Sequence, residues 1–237
     1  MSKEDKHTIE RCVKVGAMRK STNFCTIDSL RGIPIELICG IDEAGRGPLA
    51  GPVTAASAIL PSNFPIDLLD DSKRMSSQQR EVAYAAIVHG AIDWAIGWAT
   101  VQEIGKLNIL GASLRAMERA FAGMTHKPVL VVVDGNFAPN LWMNGASIEA
   151  ATMPKADGLI ASVMAASILA KVARDHFMER LDALMPEYGY ASHKGYPTVK
   201  HRKALSCFGA TRFHREGFQL LPQSELTLFD AAELSED

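Results

Sequence analysis

Glu36-Leu-Ile-Cys-Gly-Ile-Asp-Glu-Ala-Gly-Arg-Gly-Pro-Leu-Ala-Gly-Pro52 opens as a strand and closes as a loop. Residues 36–42 form an apolar run with the β-branched content of a buried strand. Asp42 and Glu43 stand together at its end, where two adjacent acids add nothing to packing. Gly45, Gly47 and Gly51 then allow close backbone approach, so that amides can meet phosphate or sugar oxygens. Arg46 adds a fork of donors suited to phosphate. The loop does not fit the G-x-x-x-x-G-K-[ST] phosphate loop, and Pro48 stands where a dinucleotide-binding helix would begin.

Outward from this stretch, residues 53–60 read as a second strand. Residues 76–86 read as a helix capped by Ser76, and residues 91–101 as a third strand. An apolar stripe predicts a helix over 109–121. Residues 129–133 are continuously apolar, as in a strand covered on both faces. Residues 147–152 read as a short fifth strand, and a long helix is expected over 157–184. The succession implies an α/β fold with a sheet of mixed direction.

Asp134 closes the fourth predicted strand and Asp157 stands at the mouth of the long helix. Carboxyl ends of strands are the usual place for sites in open α/β sheets. If the first and fourth strands are parallel neighbours, Asp42 and Asp134 emerge side by side. Two carboxylates at ~4 Å repel by about 4 kcal/mol at an effective dielectric near 20. Divalent cations relieve this, and an all-oxygen donor set favours Mg²⁺ or Mn²⁺ over zinc. Two such ions would make a phosphoryl-transfer site. Each acid also has a plainer reading: Asp134 precedes Gly135 as in an ordinary turn, and Asp157 could cap the helix.

The chain of 237 residues is 47% hydrophobic and 22% charged, enough to bury a sizeable core, and its net charge of −2 excludes a uniformly basic coat. Four cysteines (Cys12, Cys25, Cys39, Cys207) form no C-x-x-C pair, which argues against zinc knuckles and thioredoxin chemistry. No apolar run approaches the ~18 residues of a membrane span, and the start lacks a signal peptide's apolar region. A soluble, cytoplasmic monomer is expected. Residues 190–217 hold six Lys/Arg and one acid, Glu216, and read as a backbone-binding surface; residues 223–237 are acidic.

The segments GIDEAGRGPLAGPV (40–53), DSKRMS (71–76), LNIL (107–110), VVVDGN (131–136), KAD (155–157), AASILAKVARD (165–175) and HKGYPT (193–198) together resemble the ribonuclease HII family, in family order. The resemblance implies a ribonuclease H-like fold with a mixed five-stranded sheet and a helical C-terminal portion. It implies cleavage of RNA in RNA–DNA hybrids and on the 5′ side of single ribonucleotides in duplex DNA. By position, Asp42, Glu43, Asp134 and Asp157 match the catalytic carboxylates that bind Mg²⁺ or Mn²⁺. Gly45, Arg46 and Gly47 match the loop that reads the ribose 2′-OH, and Tyr196 the tyrosine that stacks on the neighbouring sugar. Lys73 and Lys194 are candidates to reach the duplex, whereas Lys171 and Arg174 read first as packing or ion-pair residues. The stretch GLIASVM after Asp157 lacks the Pro-Glu of many relatives.

On this reading residues 1–35 are an N-terminal extension, 36–185 the catalytic domain, 186–220 a basic substrate-binding segment and 221–237 an acidic tail. Within the tail, Gln223, Leu226, Leu228 and Phe229 resemble the peptide by which bacterial proteins dock on the DNA sliding clamp. A different nuclease on the same fold would cut all-DNA substrates, and a nucleotide-binding regulatory domain would bind ATP or NAD without cutting.

Overall fold

In a computed structural model, residues 30 and 32–221 are described. The N-terminal extension, apart from its last few residues, and the clamp-like peptide lie outside them. Five strands form one sheet in the order β3-β2-β1-β4-β7: β1 (Ile38–Ala44), β2 (Val53–Ile59), β3 (Asp93–Ala99), β4 (Leu130–Asp134) and β7 (Ala150–Met153). β1 pairs antiparallel with β2 and parallel with β4, and β4 is parallel to β7. The mixed sheet expected from the sequence is therefore present.

Helices cover both faces. α1 (Ser77–Gly90) and α3 (Ala161–Leu184) pack on one, α2 (Val101–Ala122) on the other. Alternation along β1 divides its side chains: Cys39 and Ile41 join the α2 core. Gly40 faces α3, where an added Cβ would lie 2.2 Å from the Ser162 carbonyl carbon. The absence of a side chain there lets the helix backbone rest directly on β1. Two short helices, α4 (Tyr190–His193) and α5 (Val199–Phe208), form the C-terminal portion against α3. None of the described helices is long and apolar enough to cross a membrane.

Several boundaries differ from expectation, each for a local reason. α2 begins at Val101, not 109, because Thr100 and Glu103 form a reciprocal capping box at the end of β3. Asn108 interrupts the helix at φ 58°, its side chain accepting from the amides of Leu110 and Gly111. Residues 147–152 are not one strand. β5 (Leu141–Met143) and β6 (Ala146–Ile148) form a separate hairpin around Asn144-Gly145, both at positive φ. Asn-Gly is the strongest short hairpin signal. Asp157 does not cap the long helix: it lies in a 3₁₀ turn (Ala156–Gly158), and α3 starts three residues later without a side-chain cap.

Candidate active site

The parallel register brings Ile41 opposite Val133, so Asp42 and Asp134 follow side by side at the ends of adjoining strands. Asp134 accepts from the Ala156 amide at 2.8 Å, which seats the turn carrying Asp157 against β4. One carboxylate oxygen from each of Asp42, Asp134 and Asp157 lies within 4.8 Å of the others. Asp134 also begins a turn, with Gly135 at φ 98°, as its turn reading implied. Glu43 emerges on the opposite face of β1 and is held by Arg46 at 3.2 Å.

Burial and mutual repulsion dominate the electrostatics of the cluster. Burial first, then the charges of Glu43 and Asp134, push the Asp42 carboxyl well above its ordinary value. Asp134 is raised by burial and by Asp157, and Glu43 by burial against the opposing pull of Arg46. Lys73 is the cation at hand: its ammonium donates to Asp157 at 2.9 Å, which raises the lysine above its usual range. Lys73, a candidate from the sequence to reach the duplex, is set on a carboxylate, with its side chain 76% exposed. Three buried or half-buried carboxylates with no nitrogen or sulfur donor fit a hard divalent cation.

Ser72 and Ser167 were not singled out by sequence reasoning. Their hydroxyls lie 2.9 Å apart, fastening the loop before α1 to α3, and Ser167 stands beside Asp42, opposing the rise of its carboxyl. Both sit inside motif segments, DSKRMS and AASILAK, which was the available signal.

The basic C-terminal stretch divides. Lys194 is paired with Glu179 on α3 at 2.6 Å, Arg202 donates to the carbonyl of Leu220 and Arg215 is buried, whereas Lys200, Lys203 and Arg212 are exposed. Lys171 pairs with Asp175, and Arg174 is buried on backbone carbonyls, as their packing reading implied. Tyr196 is 42% exposed beside the glycine loop, where a Cβ on Gly47 would come within 3.4 Å of its ring.

Beneath Tyr196 lie three buried histidines. Thr211 N–H donates to His214 Nδ1, so the neutral ring carries its proton on Nε2, 3.1 Å from His201 Nε2. His201 must then accept there and donate from Nδ1 to the Tyr196 carbonyl at 3.0 Å. His193 accepts from Gly195 N–H and stacks on His201 at 4.4 Å. A fourth proton, on His214 Nδ1, would face the Thr211 N–H donor, with the Thr211 hydroxyl left to accept it at 3.0 Å. Burial lowers all three pKa values, that of His214 to about 4. Folding therefore excludes protons that the unfolded chain binds, and stability falls as pH drops from ~6.5 toward 4. His214 alone contributes up to about 3 kcal/mol of this loss. The buried site acids act with opposite sign, so the comparison is with His214→Asn, which keeps an acceptor for Thr211. Calorimetry between pH 7.5 and 4.5 should show the variant's melting temperature falling less steeply than the parent's; parallel curves would refute the assignment.

A mixed sheet with carboxylates gathered at its parallel strand ends, flanked by a glycine loop, defines a metal-dependent hydrolase of ribonuclease H-like fold. The family model for Ribonuclease HII matches residues 39–221, and the chain belongs to that family. Ribonuclease HII of Shewanella sp. (strain W3-18-1) is 49% identical over 183 residues, covering 77% of this chain and 88% of that protein. The Dechloromonas aromatica (strain RCB) protein is 48% identical over 186 residues, covering 78% and 92%. Among solved structures, ribonuclease H2 from Pyrococcus horikoshii OT3 superposes with a TM-score of 0.63 at 24% identity, over 81% of this chain and 98% of that one. Archaeoglobus fulgidus RNase HII, solved in complex with PCNA, gives 0.60 at 23% identity, over 79% and 97%. The chain is thus a ribonuclease H, an enzyme that depends on divalent metal.

Proposed function

We propose that this ribonuclease cuts the RNA strand of RNA–DNA hybrids and the 5′ side of single ribonucleotides embedded in duplex DNA, leaving 5′-phosphate and 3′-hydroxyl ends. The carrying observation is the convergence of Asp42, Asp134 and Asp157 within 4.8 Å, near the loop of Gly45, Arg46 and Gly47 that Tyr196 borders. Asp42, Asp134 and Asp157, with Glu43 beside them, would hold two divalent ions, Mg²⁺ or Mn²⁺. Such ions, when bound, activate water and stabilise the leaving oxygen.

The chain's own residues supply position and selectivity. The three aspartates fix where the scissile phosphate must sit, because they arise from a rigid sheet end and a turn bonded to it. Lys73 offsets carboxylate charge before substrate arrives and can turn toward a phosphate afterwards. Amides of the glycine loop and the exposed Tyr196 ring read the sugar, since the 2′-OH alone separates RNA from DNA. Lys194, tied to Glu179, contributes less to the duplex than an unpaired lysine would.

Ribonucleotide excision from DNA, in the cytoplasm, is the role that follows. The clamp-like peptide at Gln223, Leu226, Leu228 and Phe229 would tether the enzyme to a sliding clamp; the archaeal relative solved with PCNA supports this. Deleting 223–229 should then abolish clamp pull-down and spare bulk cleavage.

The test is a duplex holding one ribonucleotide, incubated with Mg²⁺, Mn²⁺ or chelator, with Asp134→Asn as control. Cutting 5′ of the ribonucleotide is expected with either metal and not with chelator or the variant. An intact ribonucleotide duplex under both metals, or equal cutting of all-DNA duplex, would overturn the reading.

A further inference from the structure

Arg174 and Arg215 are each 1% exposed and both donate to the Pro52 carbonyl at the end of the glycine loop, one from α3 and the other from the segment after α5. Arg215 donates to the carbonyls of Gly45 (2.6 Å), Arg46 (3.0 Å), Gly51 (2.9 Å) and Pro52 (3.2 Å). Arg174 donates to Pro52 (3.0 Å), Ala50 (3.1 Å) and Lys194 (3.0 Å). The last of these carbonyls lies two residues before Tyr196. Neither guanidinium forms an ion pair with a carboxylate among the described residues.

The consequence for the loop is geometric. In a trans peptide the C=O and the following N–H point in opposite directions. With the Gly45 and Arg46 carbonyls drawn inward onto Arg215, the amides of Arg46 and Gly47 are turned away from it. The space taken by Arg174 also dictates the sequence. Gly45 is at φ 95°, and a Cβ there would meet Arg174 Nε at 2.1 Å. Loop and guanidinium are complementary surfaces.

The charge is harder to explain as scaffolding. Holding carbonyls requires donors, and neutral amide side chains supply them without taking two cations out of water. Burying an ion without a counter-ion costs several kcal/mol even after relaxation. Burial lowers both arginines, Arg174 to about 10 and Arg215, which Arg174 also repels, to about 9. They remain charged at neutral pH; Asp175 is the nearby carboxylate acting on Arg174, and it is already paired with Lys171. Directly above them is the loop with its outward amides, so an anionic, hydroxyl-bearing ligand there meets both donors and positive potential.

We propose that Arg174 and Arg215 are positioning residues for selectivity: they hold the amides of residues 46–47 outward and make this loop a receptor for a ribose flanked by phosphate. The inference rests on the sugar-reading role proposed above for Gly45, Arg46 and Gly47. Its mark is a change in preference between sugars, because the guanidinium forks set an amide direction and touch no substrate themselves. A lysine keeps the charge at either position but cannot span several carbonyls at once.

The experiment measures duplex binding by fluorescence anisotropy in the cleavage-deficient Asp134→Asn background, with one ribonucleotide or none in the same duplex. The background protein should prefer the ribonucleotide duplex. Adding Arg215→Lys should reduce that preference at least tenfold while all-DNA binding stays within twofold. Arg174→Lys should act in the same direction, and carries the test if the Arg215 variant does not melt cooperatively. Preference retained in the lysine variants, or both duplexes weakened alike, overturns the positioning role. Absence of any preference in the background protein itself overturns instead the sugar-reading role on which it rests.

Discussion

Asp42→Asn is expected to abolish cleavage and, in metal-free buffer, to raise the melting temperature. Asp42 is buried at 4% exposure, and its carboxyl is destabilised by burial and by the neighbouring acids. At ~5 Å and an effective dielectric near 20, each carboxylate pair costs about 3 kcal/mol before Lys73 offsets part of it. An isosteric amide removes the charge and keeps an oxygen for the Glu43 amide, which now donates to Asp42 Oδ1 at 2.7 Å. A net gain of about 1 kcal/mol shifts the melting temperature upward by roughly 2–4 °C in a protein of this size. The same change removes a central cation ligand, so cleavage should fall by at least ~10³-fold, about 4 kcal/mol of barrier. Scanning calorimetry and a single-turnover cleavage assay read the two halves. Activity within tenfold of the parent, or a lowered melting temperature, would show that the acids are not poised against one another for a cation.

Gly40→Ala should be the most damaging single methyl in the fold. The new Cβ would lie 2.2 Å from the Ser162 carbonyl carbon and 2.3 Å from the Val163 nitrogen, both backbone. No rotamer change relieves a clash with backbone, so α3 must lift from β1. Lifting it disturbs Ser167, which stands beside Asp42, and strains the 156–160 turn that leads into α3. A loss of at least ~3 kcal/mol is expected, a fall of roughly 6–12 °C, with activity reduced even in the folded fraction. Gly158→Ala is the control: nothing lies within 4 Å of the place its new methyl would occupy, and its φ is ordinary. Its stability should stay within ~0.5 kcal/mol of the parent. Equal melting temperatures for the two variants would mean that α3 is not seated on β1 through Gly40.

Legibility in the sequence followed how local each signal was. β1, β2 and α1 could be read because apolar runs and the Ser76 cap are consecutive along the chain. Strand order could not, since pairing β1 with β4 joins residues ninety or so positions apart; only the conditional statement about parallel neighbours was available. Where reading failed, a signal was present and outweighed. Thr100 and Glu103 mark the start of α2, but the apolar content of residues 91–101 extends the strand pattern across them. Asn144-Gly145 announces the β5–β6 hairpin, yet the apolar stretch just beyond it carries the stronger strand pattern. Asp42 and Glu43 stood out because two adjacent acids after an apolar strand have no packing use, whereas Asp134 and Asp157 had ordinary turn and cap readings and were singled out by the family resemblance. Lys73 on Asp157, Lys194 on Glu179 and the burial of Arg215 were not, because a cation's partner is chosen by tertiary contact.

Whether Asp42, Asp134 and Asp157 together bind cation is read from crystals of the full chain soaked in Mn²⁺, with data collected at the manganese absorption edge. An anomalous peak within coordination distance of Asp42, Asp134 and Asp157, with Lys73 displaced from Asp157, is the predicted result. Manganese bound only elsewhere, in crystals of protein that Mn²⁺ activates, would contradict it.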